Sequence, residues 1–231
     1  MASDVEICNY ALSYIGSSNV IQSLTEASDE ARTCTLHLQR VKDLVCRQYP
    51  WQFARKVAAL ALIQNNPNDE WGYEYSYPSD CIRADWMVLG VAGSAAVYAG
   101  QSRSRRSAYS VPYQLAYGTS GRVIWTDQDE AILAYNVRIT DAARFPEDVV
   151  EALAWGMAVA ISPTLSRSAS LSSTSKANYR SALFQAMATE QNETADDRPA
   201  EAEHIRARSV GSDFSGQGGD WQPYTSGFGI S

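Results

Sequence analysis

The hydrophobic residues of this chain recur with two different periods, and this change of period constrains the fold more than any other feature. Apolar residues are spaced three to four apart at the start of the chain and again between residues 145 and 191, as in amphipathic helices. From Asp69 to Ile139 aromatic and branched residues alternate with polar ones, as in strands. This order predicts a mainly α protein with a β insertion: a bundle of about four helices, a small protruding antiparallel β region and an extended C-terminal arm.

The helix signals are strongest at the start of the chain. Ser3 and Glu6 have capping-box spacing, which predicts a first helix from about residue 4 to residue 15, ended by Gly16. Ser28 predicts the start of a second helix that ends near Pro50. We expect the charged face of this second helix to be solvated; it carries Arg32, Arg40, Lys42, Asp43 and Arg47.

The central residues predict a set of short strands. Trp71, Tyr73, Tyr75 and Tyr77 recur at period two, and residues 113–117 and 122–125 read as a hairpin across a Gly-rich turn. Residues 131–139 predict a third strand, which would complete a meander. Residues 90–110 are rich in Gly, Ala and Ser and predict a mobile loop with the basic residues Arg103, Arg105 and Arg106.

Two further helices are predicted after the strands, one beginning at Phe145-Pro146 and ending at Pro163, the other running from about Ser168 to Gln191. The predicted organisation has four parts: N-terminal helices in 1–68, the β-rich insertion in 69–140, C-terminal helices in 141–193 and the arm in 194–231.

The predicted arm is polar and lacks periodicity, with six acidic residues against three arginines. Such a segment lacks the apolar periodicity to fold alone. Its end, from Phe214 to Ser231, nevertheless carries large apolar side chains, which favours burial against a partner over a free tail or one that folds back on its own domain. These candidate docking residues are Phe214, Trp221, Tyr224, Phe228 and Ile230.

Composition and charge exclude several classes of function. The net charge of −7 argues against a protein that grips DNA through its phosphates. No apolar stretch reaches the roughly 20 residues of a membrane span, and nothing at the start reads as a secretory signal. The four cysteines form no CxxC pair. Cys8, Cys34 and Cys46 fall on apolar helical positions, and we interpret them as small core residues in a reducing cytoplasm.

The residues offer little material for catalysis. His37 and His204 are the two histidines, and neither the glycine loops that cradle phosphates nor a zinc-binding His-Glu pattern occurs. Ser173 and Lys176 match the SxxK spacing of some acylating hydrolases without the companion motifs, and a hydrolase that uses these two residues is the alternative from the enzyme class. We therefore predict a protein that is not an enzyme and that carries no cofactor or metal.

Three segments, in this order, resemble the head-to-tail adaptor of short-tailed bacteriophages, also called tail tubular protein A. The first is Tyr49-Pro50-Trp51-Gln52-Phe53-Ala54-Arg55 after a pair of helices; the second is the extended segment from Tyr75 to Arg83; the third is the helix that begins at Phe145-Pro146. Each motif alone is common, so the resemblance rests on their order and spacing over about two-thirds of the chain.

The resemblance implies a structural virion protein of the phage neck, present in the host cytoplasm during assembly. It implies a ring of twelve copies between the portal protein and the tail nozzle protein, which extends the channel through which DNA leaves without specific binding. The aromatic arm would dock on the portal. Arg103, Arg105 and Arg106 would contact DNA in the lumen or a neighbouring acidic subunit, unless their loop is merely solvated.

A competing interpretation takes the aromatic β region as a ligand-binding module for a carbohydrate or a cell-surface ligand. It predicts that ligand binding quenches the fluorescence of Trp71 or Trp125.

Overall fold

The computed structural model describes residues 2–88, 111–119, 121–166 and 168–193. The predicted loop at 90–110 and the predicted arm at 194–231 lie outside these residues. The described part contains four α-helices, seven strands and one 3-10 turn. The helices are α1 (Asp4–Tyr14), α2 (Asp29–Gln48), α3 (Glu147–Leu165) and α4 (Ala169–Glu193), the strands are β1 (Arg55–Ala59), β2 (Leu62–Asn65), β3 (Tyr73–Ser76), β4 (Cys81–Val88), β5 (Tyr113–Gly118), β6 (Gly121–Thr126) and β7 (Ile132–Val137), and the 3-10 turn is Ala142–Arg144.

The fold class predicted from the sequence is wrong. The protein is a mixed α/β fold rather than a mainly α bundle with a protruding β insertion, because 47% of its described residues are helical and 23% lie in strands of two antiparallel sheets. Strands β1 and β2 lie within residues 1–68, which the sequence analysis assigned to helices. Sheet residues such as Met87, Leu133 and Tyr135 share one core with the helices. A short apolar run such as 57–63 shows no clear period, so strand pairing decided its structure.

The seven strands form two sheets with the orders β1-β7-β4 and β2-β3-β6-β5. The predicted hairpin is confirmed, since β5 pairs with β6 from Tyr113↔Thr126 to Gly118↔Gly121. The predicted meander is wrong: β7 leaves this sheet and pairs with β1 and β4. The change of sheet takes place in the turn after β6, where Glu130 has a positive φ of 51°.

The helix predictions are confirmed within a few residues. In α1 the Glu6 amide donates to Ser3 Oγ at 3.2 Å and the Ser3 amide donates to Glu6 Oε2 at 2.6 Å, which is the predicted capping box. The Ser28 hydroxyl caps α2 by accepting from the Ala31 amide at 3.2 Å. Pro163 lies inside the last turn of α3 and does not end that helix.

Trp51 joins the helices to the sheets. Its side chain is fully buried, and its indole Nε1 donates to the Val45 carbonyl at 2.8 Å, which fixes the exit of the chain from α2. The ring packs against Tyr49 at 5.1 Å and against Phe53 at 5.5 Å between ring centroids. Phe53 in turn packs edge-on against Phe145, which leads into α3. These ring contacts therefore link the segment that enters β1 to the start of α3.

The face of α2 that we expected to be solvated is partly covered. The Lys42 side chain is only 1% exposed, and its Nζ donates to Asp4 Oδ1 at 2.6 Å and to the Thr140 carbonyl at 2.7 Å. Asp43 forms an ion pair with Arg138 at 2.9 Å. The expectation was wrong at these two positions because the chain that leaves β7 crosses this face of α2.

By length and composition, α3 is long and apolar enough to cross a membrane, and 56% of its most apolar 18-residue stretch is buried inside the protein. The helix packs against α1, α2 and α4. Burial among three helices of the same chain accounts for its apolar character.

Candidate functional site

A mainly apolar groove lies between helices α2, α3 and α4. It has a volume of about 260 Å³ and is open to solvent on one side. Gly156 of α3 makes the close approach possible, since a Cβ there would lie 3.0 Å from Val41 Cγ1 and 3.1 Å from Tyr179 Cε2. The lining is mainly apolar; it comprises His37, Arg40, Val41, Leu44, Gly156, Val159, Ala160 and Tyr179.

Polar groups mark two rims of this groove. Tyr179 accepts a hydrogen bond from Gln48 Nε2 at 3.1 Å, and burial raises the pKa of its hydroxyl, which therefore stays protonated and neutral. Arg40 is exposed and forms no ion pair with any other described residue. His37 is half-buried in the wall of the groove. The groove thus joins an apolar floor to one cationic rim.

An exposed apolar row runs along α2 beside the groove. Leu36 is 74% exposed and Leu44 is 46% exposed, and Arg40 lies between them at helical spacing on the same face. We call Leu36, Arg40 and Leu44 the helix row. Two exposed leucines around an arginine on one face are typical of a protein contact surface.

A second exposed apolar surface lies on β2, an edge strand of the four-stranded sheet. All four residues of this strand are exposed, and they include Leu62 and Ile63. The register of β2 against β3 shifts between Leu62 and Gln64, so Ile63 lies at a bulge. The strand carries no charged residue, and charge is the common means by which an edge strand avoids pairing with another chain. By contrast, β1 at the edge of the other sheet carries Arg55 and Lys56.

The opposite edge of the same sheet is also apolar. Strand β5 exposes Leu115 and Tyr117, of which Tyr117 is 83% exposed. The sheet therefore has exposed apolar side chains on both edge strands.

Acidic residues cluster next to β2. The turn between β2 and β3 exposes Asp69 and Glu70, and the Gly72 amide after it donates to Asp127 Oδ1 at 2.9 Å. This hydrogen bond brings the turn that contains Asp129 and Glu130 beside the first turn. None of these five carboxylates forms an ion pair with a described residue. We call the two turns the acidic turns.

The aromatic β region is occupied by its own contacts. Tyr75 is buried and its hydroxyl donates to the Gln128 carbonyl at 2.9 Å. The indole Nε1 of Trp71 donates to Gln114 Oε1 at 3.0 Å, and that of Trp125 donates to Glu74 Oε2 at 3.1 Å. Both indole groups that the ligand-binding interpretation needs are therefore already hydrogen-bonded within the sheet.

The two candidate residues for catalysis, Ser173 and Lys176, lie about one turn apart on α4. The Ser173 hydroxyl donates to the Ser170 carbonyl at 2.8 Å on an exposed face of α4, and Lys176 is exposed on the same helix. The described residues contain no group of three side chains that could hold a metal ion. His204 lies outside the described residues.

Three cysteines are core residues, as the sequence predicted. Cys8, Cys34 and Cys46 are fully buried. The hydrogen bond between the thiols of Cys8 and Cys34 raises the pKa of Cys8, and burial raises the pKa of Cys46 to about 12. Thiols with raised pKa values in the interior are poor nucleophiles.

The site residues predicted from the sequence, Phe214, Trp221, Tyr224, Phe228, Ile230, Arg103, Arg105 and Arg106, all lie outside the described residues. Sequence reasoning missed the helix row and β2. The spacing of Leu36, Arg40 and Leu44 was the signal that could have found the first; no pattern marked the second. No family model and no curated protein matches this chain.

Proposed function

We propose that this protein is a structural subunit, a head-to-tail adaptor that forms a ring between the portal and the tail nozzle of a short-tailed phage. The observation that carries the proposal is the presence of two different exposed apolar surfaces on one subunit, the helix row on α2 and the edge strand β2. A ring is built by repeating one contact between two unlike faces of the same subunit. The three segments that resemble the adaptor family supply the place in the virion.

The charge of the chain supports a channel function. A net charge of −7 makes a ring wall that repels the DNA backbone, so DNA passes without adhering to it. A ring of twelve copies would carry twelve times this net charge in total.

The aromatic arm is the proposed contact with the portal. Its large side chains would fill pockets on the portal surface, and its glycines would allow close approach of the two backbones. The residues in question are Phe214, Trp221, Tyr224, Phe228 and Ile230.

Deletion of residues 211–231 tests the proposal. The truncated chain is expected to remain folded and soluble but to lose attachment to portal-bearing heads, measured by co-sedimentation. A matched control replaces the three arginines of the arm, Arg198, Arg206 and Arg208, by glutamine and should still attach. Unchanged attachment of the truncated chain refutes the role of the arm.

The oligomeric state of the free chain gives a second test. We expect the purified protein to be monomeric until a portal gathers it, because a portal template raises the local concentration of subunits. Light scattering measures this directly, and a stable ring in the absence of a portal contradicts it.

A further inference from the structure

We infer that the groove and helix row of one subunit receive strand β2 of a second copy of this chain, with the acidic turns against Arg40. The inference deepens the proposed function, on which its role in a ring rests, by naming the contact between neighbouring subunits. The occupant of the groove is thus a second copy of the chain, bound through a different surface.

Apolar complementarity is the first argument. The groove offers an apolar floor and the exposed Leu44, while β2 offers Leu62 and Ile63, which are 50% and 45% exposed. A dry apolar cavity of about 150 Å³ can hold a benzene ring, so one of about 260 Å³ has room for branched aliphatic side chains. The bulge at Ile63 turns the local backbone away from regular pairing with β3.

Charge complementarity is the second argument. Arg40 lies at the rim of the groove, and Asp69 and Glu70 directly follow β2 through the turn to β3. Neither side has an ion-pair partner among the residues that the structure describes. In a protein with a net charge of −7, copies repel one another, so contact is favoured where a cationic rim meets the acidic turns.

The two surfaces are unlike, so the contact is heterologous. Each subunit has one groove and one β2 strand, and each contact uses the groove of one copy and the strand of the next. Repetition of such a contact closes into a ring when the rotation between copies closes.

Disulfide trapping between two chains that each carry one engineered exposed cysteine tests the inference. Both chains carry Cys81→Ser, which replaces the half-buried thiol and leaves the native thiols Cys8, Cys34 and Cys46 buried. One chain carries Leu44→Cys and the other Ile63→Cys, both at exposed positions where the fold tolerates substitution. The purified full-length chains are mixed at high concentration without a portal, where chains that are monomeric at equilibrium still meet transiently. They are then oxidised, which traps the transient contact covalently, and dimers are counted on non-reducing gels.

We expect mixed dimers to form at least about fivefold faster than dimers of either chain alone, because only the mixture places a thiol on each side of the contact. Equal rates in the mixture and in the single chains indicate random collision or a symmetric contact, and overturn the inference.

Charge reversal with rescue is the second part of the test. Arg40→Glu in the Leu44→Cys chain is expected to slow mixed trapping about fivefold, and Glu70→Arg in the Ile63→Cys chain to restore the rate. The matched control is Arg32→Glu, an equal change of charge on an exposed residue of the same helix about 12 Å away along the helix axis. A slowing by the control equal to that by Arg40→Glu, or no rescue by Glu70→Arg, overturns the inference.

The two proposals fail separately. Loss of trapping with intact attachment to portal-bearing heads overturns the subunit contact and leaves the adaptor role standing. Specific trapping without attachment leaves the contact and overturns the place in the virion.

Discussion

The ion pair of Lys42 and Asp4 allows a quantitative prediction, because the two side chains differ in exposure. Lys42 is 1% exposed, whereas Asp4 is 34% exposed. Lys42→Met keeps the aliphatic stem and leaves the Asp4 carboxylate and the Thr140 carbonyl within reach of water. We expect a loss of about 2 kcal/mol in the free energy of unfolding, near that of one charged hydrogen bond.

Removal of the other partner, Asp4, should lower the free energy of unfolding more than Lys42→Met does. Asp4→Ala leaves the Lys42 ammonium buried with one neutral acceptor, and an uncompensated buried charge costs about 3 kcal/mol or more. The double variant removes that buried charge and should be more stable than Asp4→Ala alone. The distinctive part of the prediction is that Lys42→Met destabilises the protein less than Asp4→Ala, although Lys42 is the more deeply buried residue.

Urea denaturation followed by circular dichroism measures these differences. With a slope of about 2 kcal/mol/M, the midpoint should fall by about 1 M in Lys42→Met and about 1.5 M in Asp4→Ala. The control is Lys56→Met. Lys56 Nζ lies 2.7 Å from its partner Asp80, but the pair is 51% and 41% exposed, so this change should lower the midpoint much less than Lys42→Met does. Additive losses in the double variant refute the reasoning.

Three further outcomes follow from the same structure. Trp51→Ala should lower the free energy of unfolding by about 3–5 kcal/mol, measured by urea denaturation, since it empties a fully buried site; a loss under about 1 kcal/mol contradicts this. In the native protein Cys8, Cys34 and Cys46 should not react with Ellman's reagent until denaturant is added, and rapid reaction of any of them disproves their burial. The hydrogen bond from Lys56 lowers the pKa of Asp80, so the stability it contributes is present above the ordinary carboxyl value of 3.8 and is lost as pH falls through the lowered value. Lys56→Met should move the Asp80 titration, followed by NMR, upward toward 3.8, and an unmoved titration shows that another group lowers this pKa.

The sequence by itself determined the elements whose signals are local. The capping box at Ser3 and Glu6, the long apolar repeat of α2 and the hairpin of β5 and β6 depend on residues close together in the chain, so their positions were predicted within a few residues. The cysteines on apolar helix positions were correctly assigned to the core for the same reason.

Only the tertiary structure decided which strands pair and which faces stay exposed. Strand β1 pairs with β7, about 80 residues later, and no local pattern carries information on such a distant partner. The same holds for exposure: Lys42 is buried because a distant segment crosses α2, while Leu36 and Leu44 on that helix are left uncovered. The candidate contact surfaces therefore consist of the apolar side chains that the packed structure leaves exposed. Which side chains these are depends on contacts between residues far apart in the chain.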